Sequence, residues 1–394
     1  MGFIGALAFV VALLLSVMVH EFGHYATARR YGMHVTEFFL GFGQRLWSTR
    51  RGETEFGIKA IPAGGYCKIS GMSPRETLAP EIEPRAFYKA SVPKKLVVLG
   101  SGSFLHFILG IALLFTLFVG VGTTKALPVI SQVVSCIPSG DECTANDPIS
   151  PAKNVGLLAG DRILSINSES DMTWDEISTV LRANPNKEVS LRIERNGSIE
   201  NVVVTLAQRT VEGSVRGYLG IINQFGLVRQ NPISAISSTA SVTGDLVVGS
   251  FRALIGLPGQ IPALFRQTFL GEERKADGLV GVVGVARASG QTVSSGLLTT
   301  GEKIATFILI IASLNIFVGI FNLLPILPLD GGHMAVAYYE GIRRWSARRR
   351  GRPDPGPVDV ENLTPITFVV LVVLIFLTLL LLFADIFNPI NLNL

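Results

Sequence analysis

Four apolar runs dominate the chain, at residues 3–28, 95–122, 304–324 and 364–387. Each approaches the roughly 20 residues that carry a helix across a bilayer. The stretch 123–302 reads instead as a soluble segment. In the first connection, Phe56, Ile58 and Ala60 alternate with Gly57 and Lys59, Pro62 to Gly65 interrupt, and Tyr66 to Ile69 resume. A period of two broken by turn residues predicts a β-hairpin within 55–69. Ser73 to Phe87 is polar and proline-punctuated, a surface loop. In "TWDEISTVLRA", Thr173 and Glu176 form a capping box, and Ile177, Val180 and Leu181 recur at helical spacing. Asn196-Gly197 between two apolar stretches predicts a hairpin. Proline and glycine punctuate 208–302 near 231–232, 256–262 and 271–281. The weakly amphipathic stretches between them predict surface helices leading into the third run. No internal repeat is present.

Composition and charge turn this pattern into a topology. Of 394 residues, 48% are hydrophobic and 16% charged, against roughly 25% charged in soluble domains. The pattern is that of a polytopic α-helical membrane protein with about four transmembrane helices. The first run reads as a span rather than a cleaved signal peptide. No Lys or Arg precedes Arg29, and the run exceeds the roughly 7–15 residues of a signal h-region. Arg29 and Arg30 follow the first run, Lys94 and Lys95 open the second, and Arg343, Arg344, Arg348, Arg349, Arg350 and Arg352 lie between the third and fourth. By the positive-inside rule both termini and residues 123–302 are outside, with 29–94 and 325–363 in the cytoplasm. The net charge of +4 is then orientation bias, and nucleic-acid binding is not implied. Anionic lipid is a lesser reading of the arginine run. Cys67 falls inside. Cys136 and Cys143 fall outside, where disulfides persist, and are expected to close a small loop.

The first run also carries chemistry. "HEFGH" places His20 and His24 four apart, on one face of a helix, with Glu21 beside them. In H-E-x-x-H two histidines bind zinc and the glutamate is the general base. A charge in a span costs about 2.5–3.5 kcal/mol on insertion scales, which favours function over accident. About 17 residues at ~1.5 Å each set the pair ~25 Å in, toward the cytoplasmic end. Zinc needs a third protein ligand. Glu37 is a formal candidate but lies past Arg29 and Arg30. Asp330, in "NLLPILPLDGG", is the better one. Pro325 and Pro328 stop the third span, Gly331-Gly332 permit close backbone approach, and the charge-derived topology brings Asp330 to the depth of His20 and His24. His34 lies beyond the span. His106 reads as a buried polar contact, and His333 as a structural or supporting residue.

"VGLLAGDRILSIN" resembles a bacterial PDZ domain, which implies binding of extended peptide ends by strand addition. HEFGH, "NLLPILPLDGG" and a PDZ insert together resemble the bacterial site-2 protease family. "GFGQRLWSTRRGETEFGIKAIPAGGYCKI" looks closest to its actinobacterial members. The resemblance implies zinc on His20, His24 and Asp330, Glu21 as base, and a substrate-clamping role for Asn322 within Asn-x-x-Pro, ending at Pro325. It implies cleavage of single-pass membrane substrates such as anti-sigma factors, after a site-1 protease has trimmed them outside. The expected division is a first span at 1–28, a cytoplasmic loop with a membrane-associated β-hairpin at 29–94, a second span at 95–122, a PDZ domain at 123–207, an outer helical region at 208–302, a third span with the Asp330 motif at 303–335, an arginine-rich loop at 336–363 and a fourth span at 364–394. The hairpin edge is expected to hold an unwound substrate by β-addition. A catalytically silent PDZ scaffold is the competing reading, and a transporter is disfavoured without repeat symmetry.

Overall fold

The computed structural model describes residues 2–138, 143–144, 147–211, 213–274 and 278–390. In chain order the elements are α1 (Gly2–Arg30), β1 (Val35–Arg51), β2 (Thr54–Ile69), α2 (Val92–Thr116), β3 (Thr123–Val133), α3 (Pro151–Asn154), β4 (Arg162–Ile166), β5 (Glu169–Ser170), α4 (Trp174–Ala183), β6 (Glu188–Arg195), β7 (Ser198–Thr205), β8 (Ala207–Val211), β9 (Ser214–Tyr218), β10 (Ile221–Val228), α5 (Pro232–Phe269), α6 (Val282–Ser294), α7 (Thr300–Asn322), α8 (Asp330–Arg349) and α9 (Thr364–Phe387). Two compact units result. One joins Met1–Val121 to Gln230–Leu394, and the other is Gly122–Arg229.

In the first unit α2 is the spine. α1 packs antiparallel to it, with Thr27 Oγ1 3.1 Å from Ser101 Oγ. α7 does the same, with Asn315 level with His106. A Cβ on Gly110 would lie 2.8 Å from Ile316. The helix starts follow local rules. Pro93 sits in the first turn of α2, and Thr299 and Glu302 form a capping box on α7. The first turn of α2 holds a buried ion pair, Lys95 Nζ to Glu340 of α8 at 2.9 Å. Glu340 also receives the Val358 N–H and Arg344. Ser73 and Arg75 bond Glu361 and Asp359 just ahead of α9. Thus α2 and α9 start at the same end of the bundle.

Five described helices are long and apolar enough to cross a membrane by length and composition: α1, α2 with its continuation to Val121, α5, α7 and α9. α5 has the lowest mean hydropathy, 1.3, against 2.5 to 3.3 for the rest. Its contacts set it apart. Gln230, just before it, donates to Phe118 O at the far end of α2. At its other end Leu264 packs on Leu380 and Ala384, and Asn388 Nδ2 donates to Gln267 O. Both ends therefore meet the C-terminal ends of α2 and α9, so α5 begins and ends at one end of the bundle.

Three expectations need correction. First, the hairpin within 55–69 is part of a larger sheet. β1 and β2 pair through the turn after Arg51, from Arg51–Thr54 out to Arg45–Lys59. The start of β1 pairs twice: Phe38 is in register with both Phe56 and Cys67, and Phe39 with both Gly57 and Tyr66. Residues 35–40 thus separate the two stretches expected to be partners. Gly41, at φ +87°, turns β1 where a Cβ would meet Ile61 O at 2.7 Å. Second, the soluble module does not end at 207. β10 pairs back onto β3, giving the strand order β10-β3-β4-β6-β7, and β8 pairs β9. That closure joins positions about 90 residues apart, which local pattern does not reveal. Third, the arginine-rich loop 336–363 is largely helix, because α8 runs to Arg349 and ends at Gly351 in the left-handed region.

In the second unit, Leu157, Ile163, Ile166, Ile177, Leu191 and Ile193 form one core between α4 and the sheet. The Thr173–Glu176 capping box opens α4 as expected. Cys136 and Cys143 are joined by a disulfide, with Cα atoms 5.9 Å apart.

Candidate metal centre

α1 brings His20 and His24 to its buried face, at 7% and 8% exposure. Opposite them α2 runs antiparallel, and three of its residues at four-residue spacing meet that face. Val98 O accepts from His24 Nδ1 at 2.8 Å. Because the carbonyl can only accept, Nδ1 carries the proton and Nε2 keeps its lone pair for a metal. One turn on, Gly102 lies against His20: a Cβ there would come within 2.5 Å of Cε1 and 2.7 Å of Nδ1. A further turn on lies His106, its ring centroid 5.0 Å from that of His20.

Asp330 arrives from the connection between α7 and α8. α7 ends at Asn322, and the chain folds back through Pro325 and Pro328 before α8 opens at Asp330. Glycine is required for that fold-back. A Cβ at Gly331 would lie 2.3 Å from the Leu323 carbonyl, and one at Gly332 2.5 Å from Leu327 N. Asp330 Oδ2 then sits 3.1 Å from His20 Nε2 and 3.3 Å from His24 Nε2, and the two imidazole nitrogens are 3.1 Å apart. All three ligand atoms fall within 4.8 Å of one another. Asp330 Oδ2 is buried without a hydrogen-bond donor. A carboxylate oxygen and imidazole nitrogens converging in this way are a donor set for a cation, and two nitrogens with one oxygen suit zinc with a position left open.

Glu21 projects beside this group. The Cys67 backbone N–H hydrogen-bonds to it. The outer strand stretch 65–69 of β2 therefore runs alongside Glu21, and a Cβ on Gly65 would lie 3.5 Å from its Cγ. Burial, with the Glu21 charge second, pushes the Cys67 thiol up to about 12, so it stays protonated at neutral pH.

The structure thus brings His20, His24 and Asp330 together, with Glu21 beside them. Asn322 and Pro325 stay in the connecting segment and are not among the converging ligands. Glu37 is engaged elsewhere, by Tyr66 and Lys68. His34 bonds Ser70 Oγ at 2.8 Å, and His106 is a buried contact to Asn315. His333 lies within the first turn of α8 and is outside the trio. Sequence reasoning missed Val98, Gly102 and Asn315. The four-residue spacing of Val98, Gly102 and His106, with His24 and His20 at the same spacing on α1, was the available signal.

A metallopeptidase is the class that an H-E-x-x-H helix and a converging aspartate define, here on a helix long and apolar enough to cross a membrane. The family model for peptidase family M50 matches residues 8–353. Zinc metalloprotease Rip1 of Mycobacterium tuberculosis is 36% identical over 408 residues, covering 98% of each chain. The Rip1 of Mycolicibacterium smegmatis is likewise 36% identical, with 98% of each covered. Regulator of sigma-E protease RseP of Salmonella typhimurium is 25% identical over 85% of this chain and 90% of its own. The chain belongs to peptidase family M50 and is a zinc metallopeptidase.

Proposed function

We propose that this protein is an intramembrane protease that hydrolyses a peptide bond within or near the transmembrane helices of signalling proteins, anti-sigma factors among them, after a site-1 protease has cut them outside the membrane. The convergence of His20 and His24, on a helix apolar enough to span, with Asp330 some 300 residues later carries this reading. Zinc held by His20, His24 and Asp330 would supply a bound water of lowered pKa and a Lewis acid for the scissile carbonyl. Glu21 takes the proton from the attacking water and hands it to the leaving amine. Asn322, at the end of α7, holds the substrate backbone, with Pro325 shaping the segment that follows.

A transmembrane helix hides its carbonyls in its own hydrogen bonds, so the substrate must be drawn out into extended chain. The 65–69 stretch at the margin of the β1–β2 sheet lies next to Glu21 and is suited to hold it by β-addition. The same sheet exposes Phe42, Leu46, Trp47 and Ile61, an apolar rim that favours contact with the bilayer. The Gly122–Arg229 unit is read as a PDZ domain, receiving peptide ends outside the membrane. The termini lie outside a bacterial plasma membrane, and the catalytic group faces the cytoplasmic side.

Comparative proteomics of membrane fragments, from cells with the wild-type protein or Glu21→Gln, tests this. Fragments ending within predicted spans should appear only with the wild type. Equal fragment sets with both proteins would favour the scaffold reading.

A further inference from the structure

His24 and His20 are held differently. The outer nitrogen of His24 is tied to Val98 O. That of His20, Nδ1, is buried without a partner. A neutral imidazole that offers Nε2 to a metal carries its proton on Nδ1, so His20 presents a donor that nothing receives. Metal-ligating histidines ordinarily place this second N–H on an acceptor that fixes the ring.

The neighbouring ring is an acceptor with a defined tautomer. Asn315 Nδ2 donates to Ile311 O at 2.8 Å and to Ser16 Oγ at 3.1 Å. The Ile311 carbonyl can only accept, which fixes the orientation of the amide and turns its oxygen toward His106 Nδ1, 2.8 Å away. An amide oxygen cannot donate, so His106 Nδ1 carries the proton and Nε2 holds the lone pair. His106 is 2% exposed, and its ring lies 5.0 Å from that of His20. The two rings also share a ladder: Val98 and Gly102 on α2 oppose His24 and His20 on α1, and one turn beyond Asn315 joins His106 to Ser16. Gly102 leaves no side chain between α2 and the His20 ring.

We infer that His106 is a positioning residue for the metal site, its Nε2 serving as acceptor for the Nδ1–H of His20, directly or through one water, with Asn315 and Ser16 locking it in that tautomer. The inference rests on the zinc site proposed above. It makes α7 a contributor to both sides of the centre, through Asn315 behind His20 and through the turn that delivers Asp330.

Zinc dissociation measured by chelator competition on the purified full-length protein is the test, with the melting temperature of each zinc-free variant as a folding control. His106→Gln keeps an acceptor oxygen near the Nε2 position, whereas His106→Phe keeps volume and loses the acceptor. Asn315→Leu leaves His106 in place and frees its tautomer. Zinc affinity should fall about 10- to 100-fold in His106→Phe and in Asn315→Leu, and by no more than about threefold in His106→Gln. Wild-type affinity in a folded His106→Phe, or in a folded Asn315→Leu, would overturn the inference, as would His106→Gln being as impaired as His106→Phe. Absence of stoichiometric zinc in the wild type would instead overturn the metal site itself.

Discussion

At the scale of residues, the centre depends on two places where a side chain is missing. Gly102 lets His20 lie on the α2 backbone, and Gly331 lets α8 tuck its first turn under the end of α7. Gly331→Ala places a methyl group 2.3 Å from the Leu323 carbonyl, backbone that cannot swing aside as a side chain would. Asp330 must then move. Zinc affinity in Gly331→Ala is expected to fall at least about tenfold, measured by chelator competition, with the protein still folded. The histidines, Glu21 and Asp330 were all legible in the sequence, because H-E-x-x-H and a proline-bounded Leu-Asp-Gly announce their chemistry in consecutive residues. Val98, Gly102 and Asn315 were not. A backbone carbonyl, a glycine and one amide in apolar helices acquire meaning only when three helices have met.

At the scale of elements, long-range pairing decided where the pattern succeeded and failed. The stretches around Phe56–Ile58 and Tyr66–Ile69 are strands, as their alternation indicated, but residues 35–40 lie between them. "VTEFFL" has no clean period of two, because Phe38, Phe39 and Leu40 are apolar in succession. The turn between β1 and β2 is anchored by Glu53, which receives Arg85 and Arg29. Arg85 first, and Arg29 second, hold its carboxyl down from an ordinary 4.5 to about 2. A lowered folded-state pKa adds stability above the unfolded value, and that stability is lost as pH falls from about 4.5 toward 2. Glu53 is half-exposed and screened by solvent, so the effect is small. Glu53→Gln is therefore expected to loosen the turn at pH 7 and to match the wild type near pH 2, as read by amide hydrogen exchange of residues 50–55.

At the scale of the whole molecule, four apolar runs and the distribution of arginines implied a topology. α5 is the element that tests it. It is long enough to cross and apolar enough by composition, yet its two ends meet the C-terminal ends of α2 and α9. Pattern alone predicts surface helices across 208–302, whereas β8, β9 and β10 occupy the first part of that stretch. Single cysteines introduced into the Cys-less protein at Gln230 and Glu272, on either side of α5, should both react with a membrane-impermeant maleimide from outside intact cells. Labelling at Gln230 alone would mean that α5 crosses.

The zinc coordination sphere bears most directly on the centre itself. X-ray absorption spectroscopy at the zinc edge, on the purified protein, should find one zinc per chain. Its ligands should be two imidazole nitrogens and carboxylate and solvent oxygens, all at about 2.0–2.2 Å. Asp330→Ala should lose an oxygen scatterer or the metal, while Glu21→Gln keeps the spectrum and abolishes cleavage. A sulfur shell at about 2.3 Å, a spectrum indifferent to Asp330→Ala, or cleavage by Glu21→Gln at the wild-type rate would contradict it.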